Sequence, residues 1–198
     1  FCRGRIFDVV EKDCGQYDTV TEVMWVTGAA LFIRLADYRE VGGLDGHFFA
    51  HMEEIDLCWR LRSRGKKLVC IPQSVVYHVG GATLKKENPR KTFLNFRNNL
   101  LMLYKNLPDK ELEHVLFIRG ILDRVAALVF YLKKDRANAR AVMQARREFE
   151  DIRYSFAASR IENMMKSTDE IIPERTHFSI VMKYYLLGKK HFSQLKLF

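Results

Sequence analysis

The stretch "GLDGHFFAHMEEIDLCWRLRSRG", Gly43 to Gly65, gathers the carboxylates Glu53, Glu54 and Asp56 within a single helical turn. The apolar run Phe48-Phe49-Ala50-His51-Met52 leads into them. Ile55, Cys58 and Leu61 then follow at helical spacing, as do Leu57 and Leu61, so the pattern predicts a helix over roughly 53–64. Gly65 suits the left-handed residue that ends a helix, and Arg62, Arg64, Lys66 and Lys67 suit the negative end of its dipole. Acidic residues in a first turn need no further reason than the positive end of that dipole. The aromatic lead-in changes the case. It would desolvate a carboxylate, raising its pKa and making it a better base, and an adjacent like charge pushes the same way. Paired glycosidase carboxylates must flank the bond from opposite sides, which neighbours at one helix start do not do easily. A single base with a supporting carboxylate fits the spacing better.

Upstream, "VMWVTGAALFIR" (23–34) is apolar and β-branched and predicts a buried strand interrupted by Gly28. "LADYREVGG" (35–43) predicts a short helix ending in glycines, and Asp45-Gly46 marks a turn. Downstream, "KLVCIP" (67–72) and "SVVYHV" (74–79) predict strand pieces broken at Pro72, with Gly80-Gly81 after them. From about 92 the chain reads as helical, with segments near 92–106, 111–133, 135–166 and 177–192 and breaks at Pro108 and Pro173. The expected class is therefore an α/β portion followed by an α-helical region. No internal repeat is seen.

Nearly half of the 198 residues are hydrophobic, enough for a sizeable core. The formal net charge is +9, and the entire positive excess lies beyond residue 84, which suggests an anionic partner on that side. A nucleic-acid-binding module is one reading of that charge, but the basic residues follow no RNP, zinc or helix-turn-helix pattern, so none is expected. The cysteines at 2, 14, 58 and 70 form no CxxC pair, and Cys58 and Cys70 read as small apolar residues in a reducing, cytoplasmic protein. Residues 115–132 come nearest to a membrane span, but Arg119, Asp123 and Arg124 interrupt them; an interfacial or buried amphipathic helix is the alternative.

Taken together, "VTGAALFIR" and "VGGLDGHFFAHMEEIDLCWRLRSRGKKLVCIPQSVVYHVGG" resemble the C-terminal half of the catalytic domain of family 2 glycosyltransferases. The likeness is greatest to the rhamnosyltransferase-like group of bacterial surface-polysaccharide biosynthesis. It spans residues 23 to about 107. It implies a GT-A-like nucleotide-diphospho-sugar transferase portion (1–107, acceptor side) with a helical C-terminal region (108–198). It further implies an inverting, one-step transfer from a nucleotide-sugar donor to a glycan or lipid-linked acceptor. Glu54 would be the base that deprotonates the acceptor hydroxyl, standing where relatives usually have Asp. Glu53 would orient the site, and Asp56 would fix the helix start or a neighbouring loop. Thr27, Gly28 and Ala29 match a segment lining the cleft. Trp59 is a candidate sugar platform, though a tryptophan there also suits a core. Arg97, in an Arg-Asn pair, would clamp phosphate with the basic residues of 83–107. His78 is a candidate metal ligand, and a divalent cation, Mn or Mg, is the expected cofactor.

The chain contains no Asp-x-Asp. The resemblance therefore implies that the nucleotide-binding half precedes residue 1 and that residues 1–198 alone are inactive, with an exposed sheet edge that promotes self-association. The basic, aromatic tail "FSIVMKYYLLGKKHF" (178–192) is expected to bind anionic membrane, placing the enzyme peripherally at the inner face of the cytoplasmic membrane. The rival is a non-catalytic, membrane-associated scaffold that keeps a degenerate transferase fold.

Overall fold

The computed structural model describes residues 4–78, 88–168, 172–176 and 178–195. In chain order the elements are β1 (Arg5–Ile6), β2 (Val9–Val10), β3 (Thr21–Glu22), α1 (Leu35–Glu40), α2 (Glu53–Ser63), β4 (Val69–Cys70), α3 (Pro89–Asn106), α4 (Asp109–Leu132), α5 (Arg136–Ile152), α6 (Ala157–Met165) and α7 (Ile180–Tyr185). β1 pairs antiparallel with β2, and β3 with β4.

The helices follow from local chemistry. Asn88 caps α3 by accepting from the Arg90 amide, with Pro89 at the first helical position, where its missing N–H costs nothing. Asp135 caps α5 in the same way through Asn138. Gly65 lies at φ +74 just past α2, and Gly42 and Gly43 are left-handed just past α1, as the sequence leads one to expect. α3 packs against α5 and α6, and α4 against α5. One apolar cluster joins Phe48, Trp59, Leu100, Leu101, Leu112, Leu116, Phe149 and Phe156, so the core runs without a break across residue 107. A smaller cluster holds Val41, Leu57 and Leu61 beneath Leu31, Ile33 and Leu68.

The β content is where expectation and structure part. Residues 23–34 are not a strand. Thr27 caps a short 3-10 turn, Gly28–Ala30, by accepting from the Ala29 amide at 3.4 Å. Of 67–72 only Val69–Cys70 pair, and 74–78 do not; Val79, Gly80 and Gly81 lie outside the described residues. An apolar run becomes a strand only when a neighbour takes up its backbone groups, and after Val23, whose amide bonds the Leu68 carbonyl beside the β3–β4 pair, the chain leaves that pairing. The described residues form no long sheet whose edge would drive self-association. The predicted helix over 135–166 is interrupted by a 3-10 turn at Arg153–Phe156, and that over 177–192 shrinks to the six residues of α7. The tail instead turns back on the start of the chain: Phe7 meets Tyr184 edge-on at 4.8 Å, and the Ser193 amide donates to Glu11 at 3.0 Å.

Candidate active site

The loop before α2 is bent where ordinary residues resist bending. Phe49, His51 and Met52 have φ of 61, 71 and 73°, and none is glycine. Such backbone costs on the order of 1–3 kcal/mol per residue and persists only where the surroundings over-determine it. Here α3 does so. The side-chain amide of Asn98, itself fully buried, donates at 2.8 Å to the carbonyls of Phe48, Ala50 and His51. Its oxygen accepts from Arg97, which also reaches the His47 carbonyl at 3.0 Å and Glu148 at 2.7 Å. Phe48, with no exposed surface, anchors the loop in the core, and burying a side chain of that size contributes about 1.5–3 kcal/mol.

This bend sets the first turn of α2 so that its carboxylates part company. Asp56 points inward and is fully buried. Its oxygens accept from Arg60 at 2.9 Å, Lys105 at 2.9 Å and Asn106 at 2.8 Å. Arg60 goes on to the carbonyls of Val41 and Gly43, and Lys105 to Asp45 at 2.7 Å. Burial would raise the Asp45 carboxyl, but the Lys105 bond and charge outweigh it and bring the pKa down to about 2. Asp56 is thus the hub of a saturated knot, its oxygens taken up by Arg60, Lys105 and Asn106 rather than left open to a substrate.

Glu53 and Glu54 are different. Each is partly buried, and each has one oxygen, Oε2, shielded from solvent with no hydrogen-bond partner in the structure. His51 Nε2 beside them is in the same state. Burial pushes the Glu54 pKa upward, its backbone bond only partly opposes this, and the Glu53 charge adds to the rise. Burial lowers the His51 pKa, with Lys91 adding to the effect, which favours the neutral ring. Gly28 faces this point: a Cβ there would lie 3.7 Å from the Glu54 Cβ. Gly28, in a turn capped by Thr27 rather than in a strand, therefore comes up against Glu54. Such an arrangement can accept a proton from a hydroxyl brought against the helix start.

The remaining predicted residues lie elsewhere. Trp59 is 8% exposed within the core, with the Arg175 guanidinium 5.6 Å above its ring, so it offers no sugar platform. Arg97 is spent on Glu148 and on the loop; it positions the site rather than clamping phosphate. His78 is exposed, and among the described residues no group of three His, Cys, Asp or Glu stands close enough to hold a metal ion. The described side chains do not fit a divalent cation. Lys85 and Lys86, part of the predicted basic clamp, lie outside the described residues. Cys58 behaves as the apolar residue it resembles, fully buried with its thiol pushed up to about 11 by burial. A cleft of about 730 Å³ between Gly43–His47 and Ser155–Asn163 touches none of Thr27, Glu53, Glu54 or His78.

Sequence reasoning missed the roles of Asn98, Lys105 and Asn106. The signal was there: polar residues at seven- and eight-residue spacing, two helical turns apart, on a helix face otherwise lined by leucines.

Comparison with known proteins bears on what this site belongs to. No family model matches the chain, and no solved structure matches it. Among curated proteins it is 31% identical over 141 residues to the pre-mycofactocin glycosyltransferase of Mycobacterium tuberculosis, covering 66% of this chain and 29% of that one. It is 33% identical over 69 residues to rhamnosyltransferase WbbL of Escherichia coli, covering 35% of this chain and 25% of that one. It is 38% identical over 56 residues to the N-acetylglucosaminyl-diphospho-decaprenol L-rhamnosyltransferase of Mycobacterium tuberculosis, covering 28% of this chain and 18% of that one. All three are glycosyltransferases, and the chain is related to them as its motifs imply. It spans less than a third of the length of the relatives it matches.

Proposed function

We propose that this chain is the acceptor-side portion of an inverting, family 2 glycosyltransferase with a GT-A-like fold, and that Glu54 is its base. The observation that carries the reading is the pair of shielded, partnerless carboxylate oxygens at the start of α2, with the Glu54 pKa raised by burial. Saturated carboxylates such as Asp56 hold structure together; a carboxylate held in place by its backbone but left with a free oxygen is equipped to take a proton. In the proposed step the acceptor hydroxyl gives its proton to Glu54 as its oxygen bonds to the anomeric carbon, and the bond to the nucleoside diphosphate breaks with its electrons leaving on phosphate. Glu53 holds Glu54's charge state and orients the acceptor. Asn98 and Arg97 keep the loop fixed, and Gly28 leaves room at the carboxylate for the incoming hydroxyl. The donor is a nucleotide sugar and the acceptor a glycan or lipid-linked glycan, the last in keeping with the diphospho-decaprenol acceptor in the name of one relative. A lipid-linked acceptor places the enzyme peripherally at the inner face of the cytoplasmic membrane. If the whole protein uses Mn or Mg, the cation takes its ligands from outside the described residues, and no step here depends on it.

The test is Glu54→Gln in the whole protein. The amide keeps the shape and cannot accept the proton, so transfer should fall by roughly 10²–10⁴-fold while the chain keeps its helical signal and melts no lower than the parent. Turnover within a few-fold of normal would move the base to another residue, with Glu53 next.

A further inference from the structure

The tail that the sequence offers as a membrane anchor is partly engaged: Tyr184 and Phe192 stack on Phe7, Tyr17 and Lys190, and its α-helix among the described residues is the six residues of α7, although Met182, Tyr185, Leu186 and Leu187 stay exposed. A longer unpartnered apolar stripe lies on α4. Phe117, Ile121, Val125, Leu128 and Leu132 are 50–70% exposed and repeat every three or four residues along 24 residues of helix. Ile118 and Val129 widen the stripe on one side. Together they expose on the order of 700 Å², more than the few hundred Å² that a soluble monomer usually leaves in one patch. The opposite face, through Leu112, Leu116, Asp123 and Ala127, is buried.

We infer that this face of α4 lies flat on an anionic lipid surface; the inference rests on the peripheral membrane reading above and gives it a surface. Charge decides the occupant. Between His114 and Lys134 the single carboxylate is Asp123, which is buried and paired with Arg119 and Arg146. Glu113 is exposed one turn before Phe117, but from there to just past the helix end the exposed charges are Arg124, Lys133, Lys134 and Arg136, all basic. Tyr131, 56% exposed, carries the Arg136 guanidinium 5.8 Å over its ring, a pairing suited to the headgroup level. A second copy of the chain would bring two like-charged C-terminal regions together, whereas anionic headgroups complement them. No helix among the described residues is long and apolar enough to cross a membrane, so α4 rests on the surface instead of spanning it.

The experiment uses purified chain, vesicles of phosphatidylcholine alone, and vesicles containing phosphatidylglycerol. Sedimentation should show binding to the anionic vesicles, weakened by salt. Ile121→Asp with Val125→Asp, both at exposed positions, should cut that binding about tenfold or more, with circular dichroism confirming that helix content is kept. Lys133→Glu with Lys134→Glu leaves the apolar face intact and should reduce the preference for anionic over neutral lipid. Phe117→Trp should shift its fluorescence to the blue on anionic vesicles alone. Lys189→Glu with Lys190→Glu, in the tail, should change little. Loss of binding in the tail variant with none in the α4 variants would overturn the α4 assignment and leave the membrane reading standing. Absence of binding by the parent chain would overturn both. A dimer in light scattering that the α4 variants dissociate would assign the face to a second copy.

Discussion

Glu54 and Asp56 stand two residues apart on one helix, in the same first turn, and meet opposite fates. Asp56 accepts from Arg60, Lys105 and Asn106 and is sealed from water. Glu54 keeps a shielded oxygen with no partner and has its pKa raised. The difference teaches how to separate carboxylates that build from carboxylates that react. Proximity in sequence and a shared helix dipole are common to both; what divides them is whether the rest of the fold sends donors to meet them. α3 sends two to Asp56 and none to Glu54.

That contrast can be broken or sharpened. The largest effect on stability should come from Asp56→Asn, which leaves Arg60 and Lys105 facing an amide. Breaking a buried charge pair by removing one partner typically costs about 3–5 kcal/mol, and urea unfolding should show a loss of that order. A loss within experimental error would mean that the knot is not what holds α2 to α3. Asn98→Ala is next, since the Ala50 and His51 carbonyls lose their side-chain donor and the Phe48 carbonyl keeps only the Ala50 amide; about 1–3 kcal/mol is expected for buried groups left unsatisfied. Asn98→Asp should be worse than alanine at pH 7, because it turns a carboxylate toward three carbonyl oxygens. If both variants melt as the parent does, the left-handed loop needs no support from α3.

The smallest effect concerns pH. The raised Glu54 pKa means that the folded chain holds this proton more tightly than the unfolded chain does. The stability it brings is complete below the ordinary value of 4.5 and is lost as pH rises through the raised one. At pH 7 the parent therefore carries a buried charge that Glu54→Gln lacks. The variant should melt higher than the parent at pH 7, and the gap should close by pH 4. An Asp56→Asn variant should show the reverse at pH 7, melting lower. Equal melting of Glu54→Gln and parent at pH 7 would show that Glu54 meets no desolvation in the folded chain.

How much of this could be read from the residues alone follows the same division. α2, α3 and α4 announce themselves through spacing, caps and punctuation: Asn88-Pro89 opens α3, Gly65 closes α2 and Pro108 separates α3 from α4. The strands over 23–34 and 74–79 were not legible, because an apolar run carries no information about whether a partner strand is present to pair with it. The acidic cluster could be located but not sorted. The Asp56–Arg60 spacing of four hinted at a pair, yet the decisive donors, Lys105 and Asn106, lie some fifty residues further on. The tail's basic and aromatic residues are conspicuous in the sequence, whereas the exposed apolar side of α4 shows only in the fold, because spacing alone does not tell which face of an apolar helix is left uncovered.

The hold of Asn98 on the loop also has a meaning in time. Its three bonds span 47 to 50 residues of chain, while the bonds nearer in sequence, such as the Phe49 amide to Gly46 and the Ala50 amide to Phe48, leave the His51 carbonyl to Asn98. Contacts that close so long a loop form after the local helices do. The acidic turn therefore takes its shape only once α3 docks, and a growing chain that has not yet reached residue 98 carries Glu53 and Glu54 on a helix start whose approach is still unset. Scaffold precedes chemistry in the making of this molecule, and the link between the two is one amide side chain.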